Sequence, residues 1–289
     1  MSKLIPAELS RPLVSNAVQA ALLEDLGMAG DVTSQATIAP ASSATAVMNS
    51  RENGVVCGLD LAREAFHQVD PNIEFTPLVA DGDRVVPGQD VARISGNARN
   101  IMSGERVALN FMCHLSGIAT YSATFVDKVA GTGAKICCTR KTTPGLRAFE
   151  KYAVKCGGGS NHRFGLDDAI LIKDNHIAVA GGVREAVLAA QQFAGHLMAI
   201  EVEVDTLEQF EEALRAGATA VLLDNMSPET LRDAVKLNKG RARLEASGGI
   251  NIDSVRAIAE TGVEFISTSK ITMAAVPLDL GLDINITNE

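Results

Sequence analysis

The sequence predicts an α/β fold in which a small N-terminal α+β domain precedes an α/β barrel. From residue 134 onwards, short apolar runs alternate with amphipathic helical patterns, which indicates parallel strands joined by helices. Polar residues follow most of these apolar runs, at the position where an α/β barrel carries its active site. The composition agrees, because a chain with no Trp, two Tyr and nine Phe must build a mainly aliphatic core, as parallel sheets do.

The N-terminal domain is predicted to span residues 1–114. Helical and two-residue periodicities, with turn residues between them, mark its elements. These are a helix at 13–27, a polar connector at 30–37, a strand at 45–50, a helix at 59–69 and short β-rich runs within 81–97. The tail at 275–289 has the pattern of one more strand, and we expect it to return to this domain.

The barrel domain is predicted to span residues 115–274. Residues 103–131 lead into it and predict two helices that meet near Ser116–Gly117, since glycine weakens a helix interior. The predicted strands lie at 134–139, 169–173, 198–204, 220–224, 243–247 and 264–268. The predicted helices lie at 146–156, 183–194, 207–217, 228–238 and 252–262.

Alternation alone fits either a barrel or an open doubly wound sheet, and the polar residues decide between them. They stand at the carboxyl ends of predicted strands, at Arg140–Lys141, Lys173–Asp174, Glu203–Asp205, Asp224–Asn225 and Ser247–Gly249. The two-residue period of a strand also places Glu201 and Glu203 on one side. An inward-facing polar row of this kind favours a barrel with an open mouth.

Charge is unevenly distributed along the chain. Residues 135–173 contain eight Lys or Arg and three acidic residues, a net charge of +5, whereas the whole chain carries −9 and its remaining residues therefore −14. A basic island in an acidic protein is typical of a pocket for small, multiply charged anions, and nucleic-acid binders usually spread positive charge over a face. The sequence therefore predicts a small anionic substrate and no nucleic-acid partner.

The sequence also predicts a cytoplasmic protein with no membrane partner. Its first residues lack the apolar run and cleavage site of a signal peptide, and no apolar run is long enough to span a bilayer. The five cysteines are odd in number and contain no CxxC pair, which indicates neither a disulfide framework nor a zinc ribbon.

Four cationic or titratable residues stand near the ends of adjacent strands. Arg140 and Lys141 follow one strand, and His162 and Arg163 follow a glycine-rich turn. The planar guanidinium group of arginine binds carboxylates and phosphates through two parallel hydrogen bonds. Each residue alone is more often an ordinary surface charge, but together they predict a substrate with more than one carboxylate or phosphate.

Lys173 ends an apolar strand, and its ammonium group must find an anion or lose its charge. Both a Schiff-base lysine and an anion-binding lysine fit, and the neighbouring cations favour the second. Glu203 and Asp224 end the next two strands. They are candidates for holding sugar hydroxyls or Mg²⁺ through water, or for pairing with the basic island.

Ser247–Gly249 precedes a helical pattern, so that its backbone N–H groups can receive a phosphate. A single Ser-Gly-Gly run is weak evidence alone, and its place in a late loop of a predicted barrel strengthens it.

These residues together resemble the quinolinate phosphoribosyltransferase family. The matching motifs cover most of the chain, namely ENGVVCG, GERVALN, HLSGIAT, TRKTTPGLRAFEKYAVKCGGGSNHRFGL, LIKDNH, EVEVDTLEQ, LLDN and ASGG. The resemblance implies an incomplete (open) α/β barrel and a homodimer, or a higher oligomer, whose active site is shared between subunits. It also implies transfer of phosphoribosyl from PRPP to quinolinate, with loss of CO₂ and pyrophosphate, to give nicotinate mononucleotide for NAD synthesis.

The resemblance further implies roles for individual residues. Arg140, His162, Arg163 and Lys173 would bind quinolinate, with Arg106 from a second copy of the chain. Lys141 would contact the pyrophosphate of PRPP, Glu203 and Asp224 the ribose hydroxyls and Mg²⁺, and Ser247, Gly248 and Gly249 the 5′-phosphate. Lys141, Lys173, Glu203 and Asp224 form the predicted catalytic set, and the predicted substrate-binding set also includes Thr139, Thr268, Ser269 and Lys270.

One departure concerns the segment from Thr268 to Thr272, which reads Thr-Ser-Lys-Ile-Thr where the family usually has Val-Gly-Ala-Leu-Thr. We hypothesise that the 5′-phosphate cup survives with altered contacts from Ser269 and Lys270. Three alternative functions remain at this point: a phosphoribosyltransferase for another pyridine or pyrimidine carboxylate, a lyase with a Schiff base on Lys173, and a non-enzymatic anion-binding protein.

Overall fold

The computed structural model describes residues 8–286. Its secondary structure begins with mixed helices and strands and continues with regular β/α alternation from β6 onwards. The strands are β1 (Ser43–Ser50), β2 (Gly54–Val55), β3 (Glu74–Pro77), β4 (Arg84–Val85), β5 (Asp90–Asn97), β6 (Lys135–Cys137), β7 (Ile170–Ile172), β8 (Ile200–Val204), β9 (Ala220–Asp224), β10 (Arg243–Ser247), β11 (Phe265–Ser267) and β12 (Leu280–Ile286). The helices are α1 (Arg11–Leu26), α2 (Val32–Thr37), α3 (Leu59–Val69), α4 (Ala98–Lys128), α5 (Arg147–Cys156), α6 (Asp174–Ala180), α7 (Val183–Phe193), α8 (Leu207–Arg215), α9 (Pro228–Asn238), α10 (Val255–Ala259) and α11 (Lys270–Met273).

The chain forms two compact units. Within the described residues, unit 1 consists of 8–121, 148–158 and 275–286, and unit 2 of 122–147 and 159–274. Residues 115–121 and 148–158, which lie inside the predicted barrel domain, therefore cluster with unit 1.

Unit 1 contains an antiparallel sheet with the strand order β12-β1-β5-β3. Along β1 the buried residues alternate with more exposed ones, as the two-residue period of a strand with one covered face requires. The tail forms β12, which pairs antiparallel with β1, for example through Met48 and Leu282. The last described residues of the chain thus complete the sheet of the first unit.

The long helix α4 corrects one prediction. Two helices meeting near Ser116–Gly117 were predicted, but α4 continues unbroken from Ala98 to Lys128. A Cβ atom on Gly117 would collide with the carbonyl oxygen of Val276 and lie 2.9 Å from the Cα of Pro277. Glycine is therefore present here to let the tail backbone approach the helix, and it does not end the helix.

We expect Gly117→Ala to destabilise the protein by about 1–3 kcal/mol, although alanine is the better helix former. The added methyl group must displace the tail backbone that crosses at Val276 and Pro277. Urea denaturation measures the change. Gly195→Ala is a control for introducing a methyl group into open space, because among the described residues nothing lies within 4 Å of a Cβ at that position and its φ is not positive. Equal stability of wild type and Gly117→Ala would contradict the close approach.

Five further elements differ from the predictions. The polar connector at 30–37 contains the short helix α2, whose first turn is capped by the Asp31 carboxylate. Polar capping residues made this segment look like a loop. The elements β2, β3, α6 and α11 were not predicted, because each is too short to show a period.

Unit 2 contains a six-stranded sheet in which all the pairings are parallel, with the order β6-β11-β10-β9-β8-β7. Helices alternate with these strands, and β6 and β7 are the two ends of the sheet, so the barrel is open between them. The predicted fold class, an N-terminal α+β domain followed by an open α/β barrel, is confirmed. In residues 8–286 no helix is both long and apolar enough to cross a membrane.

Candidate active site

A cavity of about 660 Å³ lies at the carboxyl ends of the strands of unit 2. Parallel strands place their carboxyl ends and the loops that follow them at one edge of a sheet. The cavity is lined by fourteen of the fifteen residues predicted to form the site, which are Thr139, Arg140, Lys141, His162, Arg163, Lys173, Glu203, Asp224, Ser247, Gly248, Gly249, Thr268, Ser269 and Lys270. The structure therefore brings together residues that are up to 131 positions apart in the chain.

The fifteenth residue, Arg106, lies elsewhere. It is an exposed residue of α4 in unit 1, whereas every residue that lines the cavity belongs to unit 2.

Two arginines form the cationic side of the cavity. The Nε atoms of Arg140 and Arg163 are buried and have no hydrogen-bond partner among residues 8–286. Arg163 also donates from Nη1 to the carbonyl oxygen of Ala169 at 3.1 Å. Burial, and then repulsion by Arg140, lower the pKa of Arg163. A bound anion would satisfy both Nε–H groups and relieve this repulsion.

His162 is held by protein groups through both ring nitrogens. Its Nδ1 accepts the backbone N–H of Arg163 at 2.7 Å, so the ring proton belongs on Nε2. From there it donates to Oε2 of Glu201 at 2.9 Å. His162 was predicted to bind substrate, and its contacts within the chain orient Arg163 as well.

Lys173 forms an ion pair with Glu203. The Nζ atom lies 2.5 Å from Oε2 of the glutamate, whose side chain is only 14% exposed. The lysine begins α6, and its backbone N–H donates to Nδ1 of His176 at 2.9 Å. The alternation predicted for β8 is present, since Val202 and Val204 are buried on the other side of the strand.

Asp224 and the Ser247–Gly249 loop face the cavity from the next strands. Oδ2 of Asp224 accepts the side-chain amide of Asn225 at 2.6 Å. Gly248 has a φ of 95° and Gly249 a φ of 62°, conformations that L side chains rarely adopt. A Cβ atom on Gly248 would overlap the Asn225 side chain and lie 2.7 Å from its backbone nitrogen. Glycine is thus required at Gly248 both by its φ and by the lack of space.

The remaining predicted residues are tied together by backbone contacts. The hydroxyl of Thr139 accepts the N–H of Lys141 at 3.0 Å, and that of Thr268 accepts the N–H of Lys270 at 3.2 Å. Thr268 also donates to the carbonyl oxygen of Ile250 at 3.0 Å. Lys141 and Lys270 are exposed and Ser269 is half-buried, so both lysines present their charge at the cavity edge.

Sequence reasoning missed three polar residues that line the cavity, Asn225, Glu245 and Ser267. Glu245 lies in the middle of β10 and is only 6% exposed. Burial and the charge of Glu201 raise its pKa to about 7. An acidic residue between Leu244 and Ala246, in the middle of a predicted barrel strand, was the available signal, since Glu is rarely fully buried without a partner.

Two family models match the chain. The N-terminal domain of quinolinate phosphoribosyl transferase matches residues 31–116 and the C-terminal domain matches residues 118–283. The chain belongs to the quinolinate phosphoribosyltransferase family. The resemblance read from the sequence is therefore confirmed.

Relatives in this family are similar along nearly their whole length. The chain is 45% identical over 267 residues to a probable nicotinate-nucleotide pyrophosphorylase (carboxylating) of Bacillus subtilis, with 92% of each chain covered. The solved structure of NadC from Streptococcus pyogenes has a TM-score of 0.94 at 38% identity and covers 98% of this chain and 100% of its own. That of the nicotinate-nucleotide pyrophosphorylase of Francisella tularensis has a TM-score of 0.93 at 41% identity, covering 96% and 98%.

Proposed function

We propose that this chain transfers the phosphoribosyl group of PRPP to quinolinate, releasing pyrophosphate and CO₂ and giving nicotinate mononucleotide. The observation that carries the proposal is the division of one cavity into a cationic side, a carboxylate pair and a glycine loop. These three parts suit a dicarboxylate, a ribose and a phosphate. Family relatives with the name nicotinate-nucleotide pyrophosphorylase, which match 92% and 96% of this chain, support the same reaction.

Arg140 and Arg163 bind the two carboxylates of quinolinate. Their Nε–H groups are buried and have no hydrogen-bond partner within the described part of the chain, and arginine binds carboxylates through such N–H groups in a planar fork. Lys173 adds a third cationic side chain and pairs with Glu203 at 2.5 Å. This pairing favours an anion-binding lysine over the alternative of a Schiff-base lyase, whose lysine amine must be free to attack a carbonyl group.

PRPP occupies the other side of the cavity. Gly248 and Gly249 leave the backbone open to its 5′-phosphate, with Thr268, Ser269 and Lys270 beside them. Lys141 is placed to bind the pyrophosphate at the exposed edge. Glu203 and Asp224, at the ends of neighbouring strands β8 and β9, face the ribose between these two sites.

The carboxylate pair fits a magnesium ion. In each carboxylate one oxygen accepts a hydrogen bond from a neighbouring side chain: Oε2 of Glu203 from Lys173, and Oδ2 of Asp224 from Asn225. Mg²⁺ is commonly held by one or two carboxylates together with water and substrate phosphates. When bound, the ion would neutralise charge on the departing pyrophosphate.

The chain's own residues favour the reaction by placement and charge. Two anions repel each other in solution, and the arginines and lysines hold them together in one geometry. The ring nitrogen of quinolinate forms a bond to ribose C1 as the C1–O bond to pyrophosphate breaks. Glu203 and Asp224 stabilise positive charge on the ribose, and Lys141 stabilises negative charge on pyrophosphate. The adjacent carboxylate then leaves as CO₂, its electrons are stabilised by the pyridinium, and that ring carbon takes up a proton.

We also propose that two copies of the chain share the site, with Arg106 of one completing the quinolinate subsite of the other. The support is indirect: Arg106 is exposed and lies in the unit that does not line the cavity.

The deciding experiment is a coupled assay with quinolinate, PRPP and Mg²⁺ that follows nicotinate mononucleotide and CO₂. We expect turnover by wild type, much slower turnover with nicotinate in place of quinolinate, and loss of activity in both Arg140→Ala and Arg106→Ala. Mixing the two inactive variants should restore up to about a quarter of the activity, because mixed dimers contain one intact site. If mixing restored no activity, the proposal of a shared site would be wrong. If wild type showed no turnover, the proposed reaction would be wrong.

A further inference from the structure

Beneath the carboxylates that face the ribose lies a second layer of acidic side chains. Alternation along a strand places Glu201 on the same face of β8 as Glu203, and Glu245 on the same face of β10 as Ser247. Glu201, Glu245 and His162 form what we call the carboxylate layer. A second cavity of about 190 Å³ is lined by all three residues, and Glu245, His162 and Arg163 line both cavities. The layer is therefore the floor of the candidate active site.

Two carboxylates in this layer face a single N–H group. Nε2 of His162 lies 2.9 Å from Oε2 of Glu201 but 3.7 Å from Oε1 of Glu245. Only the first distance is a hydrogen bond. The Glu245 Oε1 atom is buried and has no hydrogen-bond partner in the part of the chain that the structure describes. An ionised Glu245 would thus face the Glu201 charge with a bare oxygen, which is costly in a buried site.

A proton on Glu245 removes this cost. The three polar atoms lie within 4.8 Å of one another, so a small side-chain rotation lets a Glu245 hydroxyl donate to Glu201. The raised pKa, about 7, agrees, and burial is its largest cause. The charged and polar groups around Glu245 are Glu201 on β8, His162 and Arg163 on the segment after α5, Arg243 on β10 and the Ser267 hydroxyl on β11.

We propose that Glu245 is a positioning residue for the quinolinate subsite: in its uncharged form it completes the layer that fixes the His162 ring and, through that ring, the backbone of Arg163. The last link is the 2.7 Å hydrogen bond from the Arg163 N–H to Nδ1. The inference rests on the proposed function, because it takes Arg163 to bind quinolinate.

The same bond argues against a metal ion in the layer, although His162, Glu201 and Glu245 could supply three ligands. A metal on Nε2 would need that nitrogen without its proton. The proton would then have to move to Nδ1, where it would meet the N–H of Arg163. Sharing of a proton between carboxylates avoids this conflict.

The first test compares Glu245→Gln, which imitates the uncharged carboxyl group, with Glu245→Ala. We expect Glu245→Ala to raise KM for quinolinate about 5- to 20-fold while changing KM for PRPP far less. Below about pH 7, Glu245→Gln should have the same KM for quinolinate as wild type. Above that pH the quinolinate KM of wild type should rise, whereas that of Glu245→Gln should not. Glu211→Gln, at an exposed position on α8, is the matched control. A quinolinate KM in Glu245→Gln as high as in Glu245→Ala at every pH would overturn the proposal.

The second test needs no substrate and separates this inference from the proposed function. Folding raises the pKa of Glu245 from its ordinary value of 4.5 to about 7, so the folded protein retains a proton that the unfolded chain has lost within this window. Wild type should therefore lose stability relative to Glu245→Gln as the pH rises across it, and the difference in Tm should be constant above it.

A Tm difference that does not change with pH would overturn the inference that Glu245 is uncharged in the folded protein, whatever the activity of the variants. If purified wild type contained one equivalent of metal and Glu245→Gln contained none, the layer would be a metal site, and the proposal of a shared proton would be wrong. If wild type bound and turned over no quinolinate, the proposed function would fail, and the subsite assignment would fail with it even if the Tm difference appeared as expected.

Discussion

Replacing Arg163 with alanine should lower kcat/KM for quinolinate by roughly 30- to several-thousand-fold, because removing one partner of a buried charge pair costs about 2–5 kcal/mol. In the free protein Arg163 is disfavoured by burial and by Arg140. Asp168 and Glu201 offset these two costs in part, and the bound dianion supplies further compensation, so the loss appears in substrate binding and turnover. Steady-state kinetics at varied quinolinate, with saturating PRPP, measures it.

The thermal stability of the substrate-free protein should respond differently from its kinetics. Because Arg140 repels Arg163, the Arg163→Ala variant should unfold at the same temperature as wild type or a higher one. Arg232→Ala, which removes an exposed arginine of α9 that pairs with the exposed Glu229, should leave both kinetics and Tm unchanged. A large loss of stability in Arg163→Ala with unchanged kcat/KM would mean that the arginine serves the fold and not the substrate.

Replacing Gly248 with alanine should raise KM for PRPP by at least about 30-fold. The new methyl group would overlap the Asn225 side chain and lie 2.7 Å from its backbone nitrogen, a separation that only a shift of the loop relieves. The loop carries the backbone N–H groups assigned to the 5′-phosphate, so its displacement removes several hydrogen bonds at once, each worth about 1.5–3 kcal/mol with a charged acceptor. Initial rates at varied PRPP measure the effect.

Gly181→Ala is the matched control for that experiment. It adds the same methyl group at a φ of 94°, close to that of Gly248, but among the described residues nothing lies within 4 Å of the added atom, and Gly181 does not line the cavity. Its cost is therefore limited to backbone strain of about 1 kcal/mol, and KM for PRPP should stay near the wild-type value. Equal effects of the two substitutions on this KM would contradict the proposed displacement of the loop.

The sequence predicted the open barrel because β/α alternation and the position of polar residues are local signals. Each barrel strand in the structure lies within its predicted range, and the polar residues predicted at strand ends line the cavity. The break predicted at Gly117 failed because the reason for that glycine lies 159 residues away, at Val276. A contact of this kind leaves no trace in local periodicity.

The candidate site was predicted only in part for a related reason. Charged residues at strand ends are visible as motifs, whereas Glu245 is a single acidic residue in the strand Arg-Leu-Glu-Ala-Ser. Its importance depends on the distance to His162, which is 83 positions earlier in the chain. Likewise, the engagement of both His162 nitrogens follows from side-chain geometry that the sequence does not encode locally.

The pairing of β12 with β1 has a consequence for biosynthesis. In the sheet order β12-β1-β5-β3, strand β1 is an interior strand only when residues 280–286 are present. A ribosome makes β12 about 230 residues after β1, so the growing chain exposes an unpaired β1 edge until residues 280–286 have been made, while residues 122–147 and 159–274 are already available to fold. An exposed edge invites pairing with another chain. A stop codon ahead of Leu280 would make that exposure permanent, and nascent or shortened chains should therefore depend on chaperones more than the finished protein does.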